Sequence, residues 1–138
     1  MKIRVGLIST CTAIAIAASA MAAAETPASL LAEWQTEAAA GDSRVVDAFS
    51  AARGRVFFER RAQDWSCSSC HTADPRNAGR HIVTGKSIGP MAPASNPERF
   101  TNPRKVDKWF RRNCKDVLNR ECTALEKGDV LTYLVSLK

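Results

Sequence analysis

Cys67-Ser68-Ser69-Cys70-His71 is a C-x-x-C-H stretch, and it constrains the rest of the chain more than any other feature does. The spacing is that of a c-type haem attachment site. On one helical turn, two thiols three residues apart can add to the two vinyl groups of a single haem. The imidazole that follows is then delivered to the iron as proximal ligand. A covalent tether lets a small chain hold a large apolar cofactor without enclosing it in a large core. Two other chemistries use C-x-x-C. A thioredoxin-like dithiol needs a βαβ setting, and no run of β periodicity flanks this motif. A structural zinc site needs four ligands, and the chain has no second C-x-x-C and no H-x-x-x-H. The stretch therefore predicts one covalent haem c, held through Cys67, Cys70 and His71.

The first two dozen residues read as an export signal. Lys2 and Arg4 precede an apolar run over 5–20, and Ala22 and Ala24 offer an A-x-A cleavage site. Cleavage is expected after about Ala24, with Ala22 an alternative, so that 1–24 is leader and 25–138 one domain in the periplasm. A membrane anchor is disfavoured because the run is short and Ala-rich. Cys11 leaves with the leader. Without it the chain keeps 18 basic against 14 acidic side chains, a net charge of +4. About 114 residues make a small domain in which core burial alone gives marginal stability. Besides the haem thiols, Cys114 and Cys122 remain, and an oxidising compartment favours a disulfide between them. In the chain-entropy model such a short loop contributes about 2–3 kcal/mol.

Helical signals lie at both ends of this domain. Thr26-Pro27 sets an N-cap and first position, after which Leu30, Leu31, Trp34 and Ala38 share one face, with Gly41-Asp42 as the stop. A second helix is expected over 47–61 with Phe49, Val56, Phe57 and Phe58 inward. Gly54 lies inside it, where Gly costs about 1 kcal/mol against Ala, so a close backbone crossing is expected there. The crossing partner is a last helix over 126–137, with Val130, Leu131, Tyr133, Leu134 and Leu137 as its apolar stripe. Such a crossing resembles that of the N- and C-terminal helices in class I cytochromes c. The fold class implied is all-α, with crossed terminal helices around one covalent haem and a long irregular loop wrapping it.

That loop is 74–103, which holds five of the six prolines and has little periodicity. Ile88-Gly89-Pro90 resembles the cytochrome c turn whose proline carbonyl accepts the proximal imidazole N–H; an ordinary Gly-Pro turn is the alternative. A third helix over 106–112 presents Trp109 and Phe110, expected against the haem edge or the core.

The sixth ligand of ordinary class I cytochromes c is a methionine from a loop before the last helix. Outside the leader the single methionine is Met91, directly after the Gly-Pro turn on the proximal side, and the second histidine, His81, is in the same loop. His81 is read as a surface residue or a propionate neighbour. Where the methionine loop should be, the chain reads Arg111-Arg112-Asn113-Cys114, then Cys122, with Lys127 leading into the last helix. These residues, with 84–86, 88–93 and 97–101, closely resemble the sphaeroides haem protein family of oxygen-binding monohaem cytochromes. The resemblance implies His71 as proximal ligand, Asn113 as distal ligand and a neighbouring Cys114–Cys122 disulfide. An amide oxygen is a hard, weak donor that suits ferric iron better than ferrous, so reduction should loosen Asn113 and open the iron to O₂, NO or CO. The freed amide could then donate to a bound diatomic. A left-handed helix C-cap is the competing role for Asn113.

Two function classes follow: a redox-gated gas-binding cytochrome that also carries electrons, and a plain electron-transfer cytochrome with unusual ligation. Terminal oxidase or nitric oxide dioxygenase activity is chemically open, but no second acid–base residue presents itself for an enzyme. The resemblance implies a dihaem cytochrome c or a membrane cytochrome b as electron donor. Clusters at Arg60-Arg61, Arg104-Lys105-Lys108 and Arg111-Arg112 could steer an acidic partner or simply be solvated. The modest charge and lack of any recognised motif argue against nucleic acid, and no stable membrane insertion is expected.

Overall fold

A helix over Pro27–Gly41 (α1) starts where Thr26 and Pro27 place it. Thr26 and Ser29 exchange backbone-to-hydroxyl bonds, Thr26 N–H to Ser29 Oγ at 3.1 Å and Ser29 N–H to Thr26 Oγ1 at 3.3 Å. Together they satisfy donors that a helix start leaves open. Leu30 and Trp34, one turn apart, are its buried residues. The computed structural model describes residues 26–41 and 48–138. The leader, Asp42 and the expected start of the second helix at 47 lie outside the described residues. Among the described residues, no helix is long and apolar enough to cross a membrane.

The remaining helices are α2 (Ala51–Glu59), α3 (Cys67–His71), α4 (Pro103–Leu118) and α5 (Ala124–Ser136). Two short antiparallel strands, β1 (Gly79–Arg80) and β2 (Ser87–Ile88), pair Gly79 with Ile88 and Arg80 with Ser87. Both α1 and α2 pack on α5, whose start is fixed by a Thr123–Glu126 capping box. Leu131 and Leu134 are fully buried, and Val130 and Tyr133 nearly so. The architecture is all-α, and the predicted crossing is made by α2 and α5, with α1 as a further helix on the same partner.

The crossing is interlocked from both sides. A Cβ at Gly54 would lie 1.9 Å from the Asp129 carbonyl oxygen, so only glycine lets the two backbones touch there. One residue earlier on α5, Gly128 leaves room for the Phe49 ring, which a Cβ would meet at 2.3 Å. The Phe58 and Tyr133 rings meet edge-on with centroids 5.8 Å apart. Asp129 then ties the helix ends. Its buried carboxylate accepts from Ser50 N–H at 2.6 Å, Arg53 Nε at 2.8 Å and Arg53 Nη2 at 3.0 Å. Ser50 is the N-cap of α2, so α2 begins at Ala51 and is shorter than the 47–61 expected. Val56, expected inward, is 65% exposed. The face toward α5 is set by Gly54 and Phe58, one turn apart, and Val56 lies between them on the far side. Asp129→Ala should destabilise the holoprotein by about 1–3 kcal/mol, because it strands hydrogen-bond donors at a helix start. Urea unfolding followed by circular dichroism measures this; an unchanged midpoint would mean water replaces the carboxylate at no cost.

The segment between α3 and α4 is more ordered than its composition suggests. The β1–β2 hairpin replaces part of the expected irregular loop, and Pro75 C=O accepts from Met91 and Ala92 N–H at 2.8 and 3.0 Å. Ala92 is fully buried. From Asn102, whose side chain accepts from Lys105 N–H at 3.0 Å, α4 runs to Leu118 and not to 112. The stop is Asn119, left-handed at φ 57°, whose N–H returns to Lys115 C=O at 2.9 Å.

Candidate haem attachment site

The C-x-x-C-H stretch forms α3 itself. Ser66 caps it, and Ser66 and Ser69 exchange side-chain-to-backbone bonds at 2.9 and 3.2 Å. Such a short helix needs this external pinning, since isolated turns are unstable. At its end, β1 crosses so closely that a Cβ at Gly79 would lie 2.0 Å from the Cys70 carbonyl oxygen. The same hairpin brings Ile82 N–H to Cys70 Sγ at 3.4 Å. After His71 the chain turns abruptly through Thr72, at φ 65° and ψ 163°. Side chains rarely adopt that conformation, which costs on the order of 1–3 kcal/mol, and Thr72 Oγ1 donates to Asp74 C=O in compensation.

Cys67 and Cys70 are both unpaired, although they share one helical turn. Burial pushes the Cys67 thiol up to about 11, so at neutral pH it is protonated. This is the reverse of the activated thiolate of a dithiol oxidoreductase. His71 packs beside Phe58, ring centroids 6.3 Å apart. Burial, with smaller contributions from Arg99 and His81, holds its imidazole down at about 4. It is therefore neutral at pH 7, the state in which imidazole ligates a metal. His71 Nδ1 is buried without a hydrogen-bond partner among the described residues. Among these residues no three His, Cys, Asp or Glu side chains converge on a metal site. Two unpaired cysteines on one turn with a neutral imidazole following fit a haem c, which brings four ring nitrogens of its own.

Pro90 does not make the contact expected of it in this structure. Its carbonyl accepts from Arg99 Nε at 2.8 Å and Asn96 Nδ2 at 3.2 Å, and Arg99 Nη2 also reaches Gly89 C=O at 2.7 Å. Both lone pairs of that oxygen are thus engaged away from His71. Trp109 is not a core residue: it is 49% exposed, with Arg112 Cζ 5.3 Å and Lys108 Nζ 5.9 Å from the ring centroid. Its neighbour Phe110 takes the core position, edge-on to Trp34 at 5.4 Å.

On α4, Asn113 lies inside the helix, so the left-handed cap is Asn119 and not Asn113. Asn113 is half-buried, and its amide makes no hydrogen bond among the described residues. Cys114 beside it is buried and joined to Cys122 by a disulfide, with Cα atoms 5.6 Å apart. The disulfide therefore ties the body of α4 to the segment entering α5. His81 is used locally. Its Nδ1 accepts from Val83 and Thr84 N–H at 3.2 and 3.3 Å, which shapes the hairpin turn. Met91 packs on the core. The sequence reading missed Gly79, Thr72, Asn96 and Arg99. An isolated glycine after the motif was a usable signal for a close approach; single loop residues such as Arg99 carry no pattern.

A family described as a domain of unknown function (DUF1924) matches residues 44–134. Cytochrome c-type protein SHP of Cereibacter sphaeroides is 40% identical over 126 residues, covering 88% of this chain and 92% of SHP. Cytochrome c'' of Methylophilus methylotrophus is 41% identical over 88 residues, 60% of this chain; the match spans only 61% of that protein's length. Among solved structures, oxidised cytochrome c'' from M. methylotrophus superposes with a TM-score of 0.73 at 35% identity, over 80% of this chain and 93% of that one. Oxidised SHP, an oxygen-binding cytochrome c, gives 0.67 at 41% identity, over 80% and 96%.

Proposed function

This chain belongs to the family of c-type cytochromes that includes SHP and cytochrome c'', with one covalent haem c as cofactor, and from that premise we propose a periplasmic electron-transfer protein that binds diatomic gases only when reduced. Bound haem supplies a one-electron iron couple and, in the ferrous state, a site for O₂, NO or CO. Cys67 and Cys70 would tether it, and His71 and Asn113 would be the two protein ligands of its iron. As a neutral oxygen donor the Asn113 amide would hold ferric iron weakly and ferrous iron more weakly still. Its N–H groups would be available to hydrogen-bond a diatomic ligand.

The observation that carries this reading is the Asn113 amide, half-buried and without a partner among the described residues. The other imidazole and the methionine are committed elsewhere, His81 to its hairpin and Met91 to the core. The Cys114–Cys122 disulfide beside Asn113 limits how far the helix drifts while the amide is detached.

A second reading, plain electron transfer, is favoured by α4's own charge. Arg104, Lys105, Lys108, Arg111, Arg112 and Lys115 face only Asp107 and Asp116 in opposition, around an exposed Trp109. Such a surface speeds encounter with an acidic donor, for which a dihaem cytochrome c or a membrane cytochrome b is our proposal. Oxidase or dioxygenase turnover stays outside this reading, since it would need a proton-transferring group on the distal side and the Asn113 amide does not titrate.

Optical and EPR spectra of both redox states decide between them. The wild-type ferric protein should lack the charge-transfer band of methionine ligation; the ferrous protein should be high-spin and take up CO rapidly. Asn113→Ala should keep the fold, open the ferric site to azide, and alter O₂ affinity or autoxidation. A low-spin, six-coordinate ferrous spectrum inert to CO would remove gas binding and leave electron transfer.

A further inference from the structure

We infer that Arg99 is a positioning residue for the proximal ligand: it occupies the Pro90 carbonyl in place of the His71 Nδ1–H and thereby raises the reduction potential. The inference rests on the proposed role of His71 as proximal ligand. Three distances carry it: Arg99 Nε to Pro90 O at 2.8 Å, Arg99 Nη2 to Gly89 O at 2.7 Å, and Asn96 Nδ2 to Pro90 O at 3.2 Å. One guanidinium thus grips two successive carbonyls with its fork, a geometry lysine cannot copy. His71 Nδ1, by contrast, is buried and has no partner among the described residues.

The physical consequence has a definite sign. An imidazole whose Nδ1–H is given to a good acceptor gains imidazolate character and becomes a more basic ligand. Greater basicity favours the ferric state. By drawing off the density of the Pro90 carbonyl, Arg99 and Asn96 keep His71 a weaker donor. The half-buried positive charge of Arg99 acts in the same direction, since it disfavours the more positive oxidation state. Both effects favour the ferrous state, in which Asn113 is proposed to withdraw.

The test uses holoprotein of wild type, Arg99→Gln and Arg99→Lys, with haem content and far-UV circular dichroism as controls. Midpoint potentials come from spectroelectrochemistry, and the His71 Nδ1–H proton is observed by NMR in the diamagnetic ferrous–CO form. Arg99→Gln should shift the potential down and the Nδ1–H resonance downfield, as Pro90 becomes available to it. Arg99→Lys, keeping charge but losing the fork, should fall between. An unchanged or higher potential in Arg99→Gln, or a lower one with an unmoved Nδ1–H, would overturn the inference. If Arg99→Gln does not accumulate, Arg99→Lys decides on the same two readouts. His71 ring protons without the upfield shift of an axial ligand in wild type would instead remove the ligand assignment beneath it.

Discussion

Replacing Cys67 and Cys70 together by alanine yields a protein without covalent haem, seen as complete loss of haem stain on a denaturing gel. Either single variant keeps one thioether and stains weakly. The effect is large because the two sulfurs have no other role in the fold. They are unpaired, and Cys70 Sγ receives only a weak bond from Ile82 N–H at 3.4 Å. The motif's backbone, by contrast, is fixed independently by the Ser66–Ser69 box and the close passage of Gly79. The substitutions therefore remove the attachment chemistry and leave the contacts that pin the turn. The double variant should nonetheless lose helicity, because a domain this small draws much of its apolar burial from the cofactor. Covalent haem persisting in the double variant would show that another nucleophile had been taken for granted.

The parts of this molecule that the sequence made legible are those with a local chemical signature. C-x-x-C-H announces its cofactor, Thr26-Pro27 its helix start, and a glycine inside an apolar helix its crossing point. Each needs only neighbours in the chain to be interpreted. The misreadings share a different cause. A third helix ending at 112 leaves the distal segment to a loop, yet no breaker occurs before Asn119, and α4 continues through Asn113. Val56 is apolar but out of phase with the buried face, which Gly54 and Phe58 set. The Pro90 carbonyl accepts from Asn96 and Arg99, six and nine residues further along the loop. Loop contacts of this kind have no periodicity, so nothing in the chain foretells them. The same holds for Asp129, whose carboxylate reaches Ser50 and Arg53 more than seventy residues earlier.

Gly54→Ala should be the most damaging single substitution away from the haem motif, and two opposing effects fix its sign. Alanine is the better helix former by about 1 kcal/mol. Read on α2 alone, the change would stabilise. Against this, the new methyl would stand 1.9 Å from the Asp129 oxygen, 2.4 Å from its carbonyl carbon and 2.9 Å from Val130 N. All three are backbone atoms in the middle of α5, so no side chain can swing aside to make room. The helices must separate, which opens the Phe58–Tyr133 contact and lengthens the bonds from Ser50 and Arg53 to Asp129. Overpacking of a tight core costs about 1–3 kcal/mol and occasionally more, and a backbone-to-backbone clash belongs at or above the top of that range. The net expectation is a loss of about 2 kcal/mol or more, with a fall of about 10 °C in the thermal midpoint of the holoprotein. Gly54→Val adds β-branching to the same clash and should prevent accumulation of folded holoprotein. Because Phe58 also lies against His71, the separation should reach the proximal side, and the ferric spectrum should broaden as the midpoint falls. A thermal midpoint raised by Gly54→Ala would mean that helix propensity outweighs the crossing, and that α2 and α5 do not meet at Gly54 in solution.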